Sequence, residues 1–600
     1  MDRNQVTGII LIMLLMLAYF SYFGNDKKTV NSGKNTTAVS TTVHTATPTT
    51  PQYSDSLQQL LNKEKFGNLA SAAQGEDKEI VLENKDLKVF VSTKGGNVKR
   101  VLLKHYLTDD KKPLYVVDEN SSKISLFANI NARNTNLSEL FFTPASSPSN
   151  GKQSVSLRLT LGPNQFIEQN YSLPESGYLV DYDLKFTNVD NIVSAEPIKI
   201  NWKANLPKVE YDIEQSRLRS TINYYSVEGE FEYLNETSKD EESAKIDEPI
   251  KWISMKQKFF NSGLIAKNSF QKAFIKSDIV ESDTVGIKSL EADIFIASAD
   301  IKAGKGNFQY YFGPNDFKIL KKVTEGYHKN VYLGWPVINW VNRFIVIPVF
   351  NFLQSFISNY GIIIIILVLL IKLLLFPLSY KSYVSMAKMK VMKPELDEIK
   401  AKYPDDMQKQ QSEQMQLYQK VGINPLSGCI PVVLQMPILL AMFNFFPNSI
   451  ELRQEPFLWA SDLSTYDAPI MLPFTIPFYG SHVSIFTLLM TISTLVYTWF
   501  NNQMSTVTGP MKSVSYVMPV VFMFVLNSFP AGLSFYYFVS NIVTIAQQMV
   551  IRKFVDEGKI RVALEENKKK NASIPGGKKS AWMQRVEDAM KAREEQKKKK

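Results

Sequence analysis

Across 600 residues there is one cysteine, Cys429, and only four histidines, His44, His105, His328 and His482. A single thiol excludes an intramolecular disulfide and any cysteine-rich metal centre. The histidines lie far apart, with no pair at metal-ligand spacing, so no metal and no cofactor are expected. A phosphate-binding glycine loop, a nucleophile motif and a paired His/acid constellation are also missing. Ordinary enzymatic chemistry therefore has nothing to stand on, and an enzyme is not expected. Charge is missing too, but only in places. Residues 6–23, 428–446, 482–500 and 513–551 contain no Asp, Glu, Lys or Arg, and residues 361–378 contain one, Lys372. Such windows argue against a purely soluble chain. A mean hydropathy of −0.12 argues equally against a chain made only of membrane spans.

A helix needs ~20 apolar residues to cross ~30 Å of hydrocarbon. Four of the windows suit one span each. The fifth, residues 513–551, suits two, broken at Phe529-Pro530-Ala531-Gly532. Six transmembrane helices are thus expected, near residues 6–23, 361–378, 428–446, 482–500, 513–529 and 532–551. The first is too long for a signal-peptide core, and Ser21-Tyr22-Phe23 offers no small-residue cleavage pattern, so an uncleaved anchor over residues 1–23 is expected.

Orientation follows the Lys/Arg balance of the short loops. Residues 381–420 hold eight lysines, whereas residues 451–469 hold only Arg453. From Arg552 to the end there are 16 Lys+Arg against 8 Asp+Glu, while the preceding 551 residues carry 52 against 50. Both termini then lie in the cytoplasm, and the long segment up to about residue 340 lies outside, in the periplasm. The basic tail, residues 552–600, is a solvated surface with attraction for RNA or anionic lipid.

The outer segment changes character twice. Residues 24–58 are rich in Thr, Ser and Pro and read as a flexible linker. Beyond them the hydrophobic period is two: Tyr178, Val180, Tyr182, Leu184 and Phe186 alternate with polar residues, as do Val155, Leu157, Leu159 and Leu161. Gly95-Gly96-Asn97 marks a turn. Short strands repeated over residues 59–334 predict an antiparallel β-sandwich. Its plainest use is contact or spacing; a sugar-binding role would rest on fold class alone. Residues 335–360, with Trp335, Trp340 and Arg343 at the start, predict an amphipathic helix lying at the membrane interface or packed as a linker.

Lys372 is the one ionised side chain in the six windows. An intramembrane lysine costs about 2.5–3.5 kcal/mol on insertion scales and usually faces a polar cavity, unless it snorkels to the nearer interface. Polar residues recur nearby at helical spacing. Gln435 lies at a similar depth. Thr487, Thr491, Thr494 and Thr498 form one stripe, and Ser540, Thr544 and Gln547 another, with Asn541 beside it. Helix-to-helix hydrogen bonding accounts for a few such hydroxyls. The added ammonium points to a water-filled groove, open to the cytoplasm and ending within the membrane. Between the first and second core helices, residues 381–421 predict a cytoplasmic helical hairpin. Met386, Met389 and Met392 on its apolar stripe suit either an adaptable surface for apolar clients or a self-packed hairpin.

Several segments resemble the YidC family of bacterial membrane-protein insertases. They are residues 361–378, SMAKMK at 385–390, INPLSGCIPVVLQMPI at 423–438, LRQEPFLWASDLS at 452–464 and FPAGLSFYYFVSNIVTIAQQ at 529–548. The likeness is dense over residues 340–555 and looser over the outer segment, where KVFVSTKGGNVKRVLLKHY (88–106) is similar to the start of the family's periplasmic domain. It implies a polytopic α-helical membrane protein with a five-helix insertase core at residues 361–551. It also implies a groove whose basic residue maps to Lys372 and whose polar companion maps to Gln435. Tyr537, with Tyr536 adjacent, maps to the groove-facing aromatic. Implied partners are nascent integral membrane proteins, Sec translocon components, the ribosome through the basic tail, and membrane lipids; DNA is not among them. Two departures stand out: lysine at 372 where arginine is usual, and Val368 where threonine is common. The competing reading is a secondary transporter of a small anionic solute, which would show internal repeats with broken helices. A membrane-anchored sugar-binding protein is the other.

Overall fold

In the computed structural model of the chain, residues 55–146, 153–279, 286–404, 406–423, 430–477, 479–504 and 510–572 are described. The expected anchor at 6–23, nearly all of the linker, residues 424–429 and the tail beyond 572 lie outside them. The chain forms two units. One contains the sandwich up to Tyr332 together with Asn448–Gln454; the other contains Leu333–Pro447 and the chain from Glu455 onward.

The first unit is antiparallel throughout. A four-stranded sheet runs from Glu79 to Val117, and nine- and six-stranded sheets share the rest. The strand Leu179–Thr187 lies inside the nine-stranded sheet, between Gln165–Leu173 and Asn307–Pro314. Its alternation is the expected one: Val180, Tyr182 and Leu184 are fully buried and their neighbours are not. Val155, Leu157 and Leu159 do the same on Gln153–Gly162. One core cluster joins all three sheets, from Val89 and Leu103 through Leu126 and Trp202 to Phe308 and Phe312. Gly95 and Gly96 both have positive φ, 80° and 64°, where a side chain is strained. A Cβ on Gly96 would meet Gln169 Nε2 at 2.5 Å. That closeness has a use: Gln169 Nε2 donates to Gly95 O (2.8 Å) and Tyr171 OH donates to Gly96 O (2.9 Å), which ties the turn to the nine-stranded sheet.

Asn448–Gln454 was not foreseen as part of this unit. Ile450 enters its core. Arg453 Nε bonds both carboxylate oxygens of Glu210 at 2.8 and 3.0 Å, and its Nη2 donates to Leu107 O at 2.6 Å. The loop's single cation is thus buried and paired.

The second unit is helical. Its elements are α1 (Pro336–Val341), a π-turn (Asn342–Val346), α2 (Ile347–Gln354), α3 (Tyr360–Leu374), α4 (Phe376–Val391), α5 (Lys393–Lys402), α6 (Met407–Val421), α7 (Ile430–Asn448), α8 (Ile485–Met504), α9 (Pro510–Leu526), α10 (Ala531–Phe554) and α11 (Glu557–Ala572). The break between α9 and α10 falls at Pro530, as expected. Among the described residues, Pro336–Gln354 alone has both the length and the hydropathy to cross a membrane as one helix. α3 and α4 qualify only as a pair bent by 61°. α8 and α10, at 20 and 24 residues, have the length but carry many hydroxyls and amides. The run 336–354 buries Ile338, Val341, Val346 and Phe350 and exposes Val337, Trp340, Phe344 and Phe352, so apolar side chains lie on both of its faces, with Asn342 buried among them.

Candidate functional site

The position of Lys372 follows from local chain chemistry. Pro377 sits in the first turn of α4, and a helix tends to end shortly before a proline. α3 stops at Leu374, which places Lys372 in its last turn. There the partial negative charge of the helix end favours a cation, typically by about 0.3–1 kcal/mol. Such a turn also leaves carbonyls without intrahelical partners. One of these, Lys372 O, accepts from Gln547 Nε2 of α10 at 3.1 Å. The lysine is only 5% exposed, and among the described residues its ammonium has neither a hydrogen bond nor an ion pair.

On α10, Tyr537, Ser540, Thr544 and Gln547 recur at steps of three and four and so share a face. Gln547 reaches α3 at one end of this stripe. Tyr537 meets Phe443 of α7 at 5.6 Å at the other. Ser540 is buried, and its carbonyl accepts from Thr544 Oγ1 at 2.7 Å. Tyr536 is buried against Phe446 of α7, at 5.7 Å. Gln435 is half-buried on α7.

The stripe on α8 behaves differently. Thr487 is 1% exposed and bonds Leu526 O at 3.2 Å and Ser534 Oγ at 3.0 Å. Thr491, also buried, donates back to Thr487 O, and Thr494 to Met490 O. Asn541 Nδ2 donates to Ser493 Oγ and Thr494 Oγ1 at 3.0 and 2.8 Å. These groups tie α8 to α9 and α10. The expected polar set therefore divides. Tyr537, Ser540, Thr544 and Gln547 share the face of α10 whose ends reach α7 and the end of α3 that carries Lys372. Thr487, Thr494 and Asn541 join helices, and Thr491 is buried on its own helix.

The helical hairpin expected at residues 381–421 is broken where one helix was expected. α4 ends at Val391, with Met392 capping it, because Pro394 follows, and α5 begins anew. Met392 is buried with Leu396, Tyr418, Val421, Ile423 and Leu564 in the hairpin's own core, and Met389 packs against the same cluster. Met386 packs beside Tyr383, Ala387 and Ile551. The first part of the basic tail takes part: α11 supplies Leu564, and Lys390 pairs with Glu557 at 2.6 Å.

Sequence reasoning missed a polar knot at the other end of the helices. Asp467 is 3% exposed and caps α8, accepting from the backbone N–H of Ile485 (2.9 Å) and Phe486 (3.1 Å), from Ser484 Oγ and from Trp459 Nε1. Asn527 accepts from Ser484 N and donates to Tyr479 O and His482 O. An Asx residue facing the start of a helix is the usual capping signal. Here it comes from 18 residues upstream of Ile485, too far for a local pattern to reveal. Among the described residues no group of His, Cys, Asp and Glu has the arrangement of a metal site.

Two protein families match the chain: 60Kd inner membrane protein over residues 352–558 and YidC periplasmic domain over residues 79–350. The membrane protein insertase YidC of Cytophaga hutchinsonii is 51% identical, over 99% of this chain and 98% of the relative. That of Amoebophilus asiaticus is 46% identical, over 99% of each. The crystal structure of an active YidC insertase with its first transmembrane domain resolved is similar at 18% identity, covering 82% of this chain and 97% of that one, with a TM-score of 0.33.

Proposed function

The chain belongs to the YidC family of membrane-protein insertases, and from that premise we propose how it works. It is an inner-membrane insertase with a periplasmic domain, and its clients are nascent membrane proteins. The cation at the end of α3 attracts acidic residues of a client's hydrophilic segment, while Ser540, Thr544, Gln547 and Gln435 replace part of the water that segment loses. The client's apolar helix then passes into lipid beside α7 and α9. The observation that carries this reading is Lys372: buried, unpaired among the described residues, and alone in an otherwise uncharged helix.

The energetics need no fuel. Twenty residues at about −0.3 to −0.6 kcal/mol each release roughly 6–12 kcal/mol, enough to offset two or three acidic residues at about 2.5–3.5 each. No nucleotide hydrolysis and no covalent chemistry enter, so the protein is not an enzyme in the catalytic sense. Six spans with both termini in the cytoplasm complete the proposed topology. Asn448–Gln454, packed in the sandwich unit, leads out of the end of α7, which supports a periplasmic end there. Sec translocon components and the ribosome are the proposed partners. The latter is held by the basic tail through salt-sensitive contacts to RNA phosphates.

The test is reconstitution into liposomes with a small client bearing an acidic N-terminal tail. Tail translocation by the native chain is compared with Lys372→Arg and Lys372→Ala. Arginine should preserve most of the rate and alanine should lose it; equal rates for all three would remove the charge from the mechanism. Deleting residues 60–330 should leave insertion intact, whereas a sugar-binding protein with a helical anchor would lose its function.

A further inference from the structure

Between α7 and α8 the chain forms a two-stranded hairpin, Ile470–Ile476 paired with Gly480–Val483. Its first strand reads IMLPFTI and is open on both faces: Ile470 is 49% exposed, Met471 60% and Phe474 61%, with Pro473 and Thr475 exposed as well. A strand pair in water hides one face of such a sequence against a core. Alternation in this strand is absent, so no single protein face would cover it.

The base of the hairpin, by contrast, is firmly held. Asn527 Nδ2 donates to Tyr479 O and His482 O, both at 2.9 Å, and His482 is stacked on Tyr466 at 3.9 Å. Tyr479 packs against Phe524 of α9 at 5.3 Å. The apolar strand is therefore fixed at the level where α9 ends and α8 begins. From there the exposed apolar surface continues onto Ile492 and Val496 of α8 and Phe522 and Val525 of α9. Residues 468–511 contain no Asp, Glu, Lys or Arg.

We propose that this hairpin is a lipid-seated element, lying flat in the headgroup-to-acyl boundary at the ends of α8 and α9 and binding the bilayer without regard to headgroup charge. Depth is limited by its own backbone. A two-stranded sheet has unpaired edge groups, which hydrocarbon does not tolerate, so the hairpin stays shallow. Pro473 within the strand has no backbone donor to offer, which makes the strand a poor template for a further strand from a client or a second copy. Leu458 and Trp459, 69% and 40% exposed in the same loop, suit the same boundary, where tryptophan is favoured. The inference rests on the membrane placement of α8 and α9.

The test uses the full chain in phosphatidylcholine vesicles, with Cys429→Ser to clear the native thiol and Phe474→Cys carrying an environment-sensitive fluorophore. Ile492→Cys on α8 serves as the lipid-facing control. The expected result at 474 is strong quenching by lipids bearing a nitroxide high on the acyl chain, weak quenching by deep nitroxides, none by aqueous iodide, and no change with salt or added anionic lipid. A probe at Met471→Cys should lose its lipid quenching when Phe474→Asp is added. Iodide quenching at 474 with lipid quenching retained at 492 would overturn the hairpin proposal and leave the membrane reading standing. Iodide quenching at both positions would overturn both. Shielding of 474 from lipid and iodide alike would assign the strand to a protein partner and overturn the proposal too.

Discussion

Buried cations are treated differently in the two units. In the sandwich unit three buried cations have acceptors to match: Arg453 holds both oxygens of Glu210, Lys256 pairs with Glu236 at 2.7 Å, and Lys288 donates to the carbonyls of Ser220 and Glu236 at 2.9 and 2.8 Å. In the helical unit Lys372 is as deeply buried as these and, among the described residues, has only the helix end to favour its charge. A paired cation is accounted for by the fold. A buried cation with neither a carboxylate nor a carbonyl to bond is a standing cost, which points to a partner that comes and goes.

That contrast is open to attack by substitution. The largest effect is expected at Glu210→Gln, which leaves Arg453 buried without its counter-charge. The sandwich should lose about 3–5 kcal/mol, read from denaturant unfolding of the full chain through the buried Trp202 and Trp252. A loss below about 1 kcal/mol would mean that the pair is not structural. Next comes Lys288, whose ammonium burial pushes down to about 8 against the pull of the Glu236 and Glu242 carboxylates. The unfolded chain, with an ordinary lysine near 10.4, binds the proton more tightly. Stability should therefore rise with pH through this window, by about 2 kcal/mol between about pH 7 and 9.5. Lys288→Met should flatten that rise; an unchanged slope would assign it to other groups. Thr487→Val removes one helix-joining hydroxyl and should cost about 0.6–1.7 kcal/mol, measured by unfolding in mixed micelles. Lys372→Met should cost no stability at all, since among the described residues its ammonium has no hydrogen bond or ion pair to lose.

The sequence announced the parts whose causes are local. Alternation at Val180, Tyr182 and Leu184 marked a strand, positive-φ glycines at 95 and 96 marked a turn, and Pro530 separated α9 from α10. It was silent where the cause is distant. Arg453 looked like a lone loop charge because Glu210 stands 243 residues away. The threonine stripe of α8 looked like one wall of a groove because spacing cannot tell a wet face from one that bonds Ser534 and Asn541. Met392 sat on an apolar stripe whose partner, Leu564, comes from a tail that composition alone made entirely soluble. The end of α3 was legible in Pro377, yet its consequence for Lys372, a cation set at a helix terminus, needed the bend to be seen.

The contrast between paired and unpaired cations is tested most directly by exchanging the charge on both sides. Lys372→Glu and the native chain are each reconstituted with two versions of one small client, its N-terminal tail carrying either acidic or basic residues. The native chain should translocate the acidic tail faster and Lys372→Glu the basic one, each by about tenfold, the equivalent of ~1.4 kcal/mol in barrier. If both chains favour the same tail, or neither distinguishes them, Lys372 does not meet the client's charge.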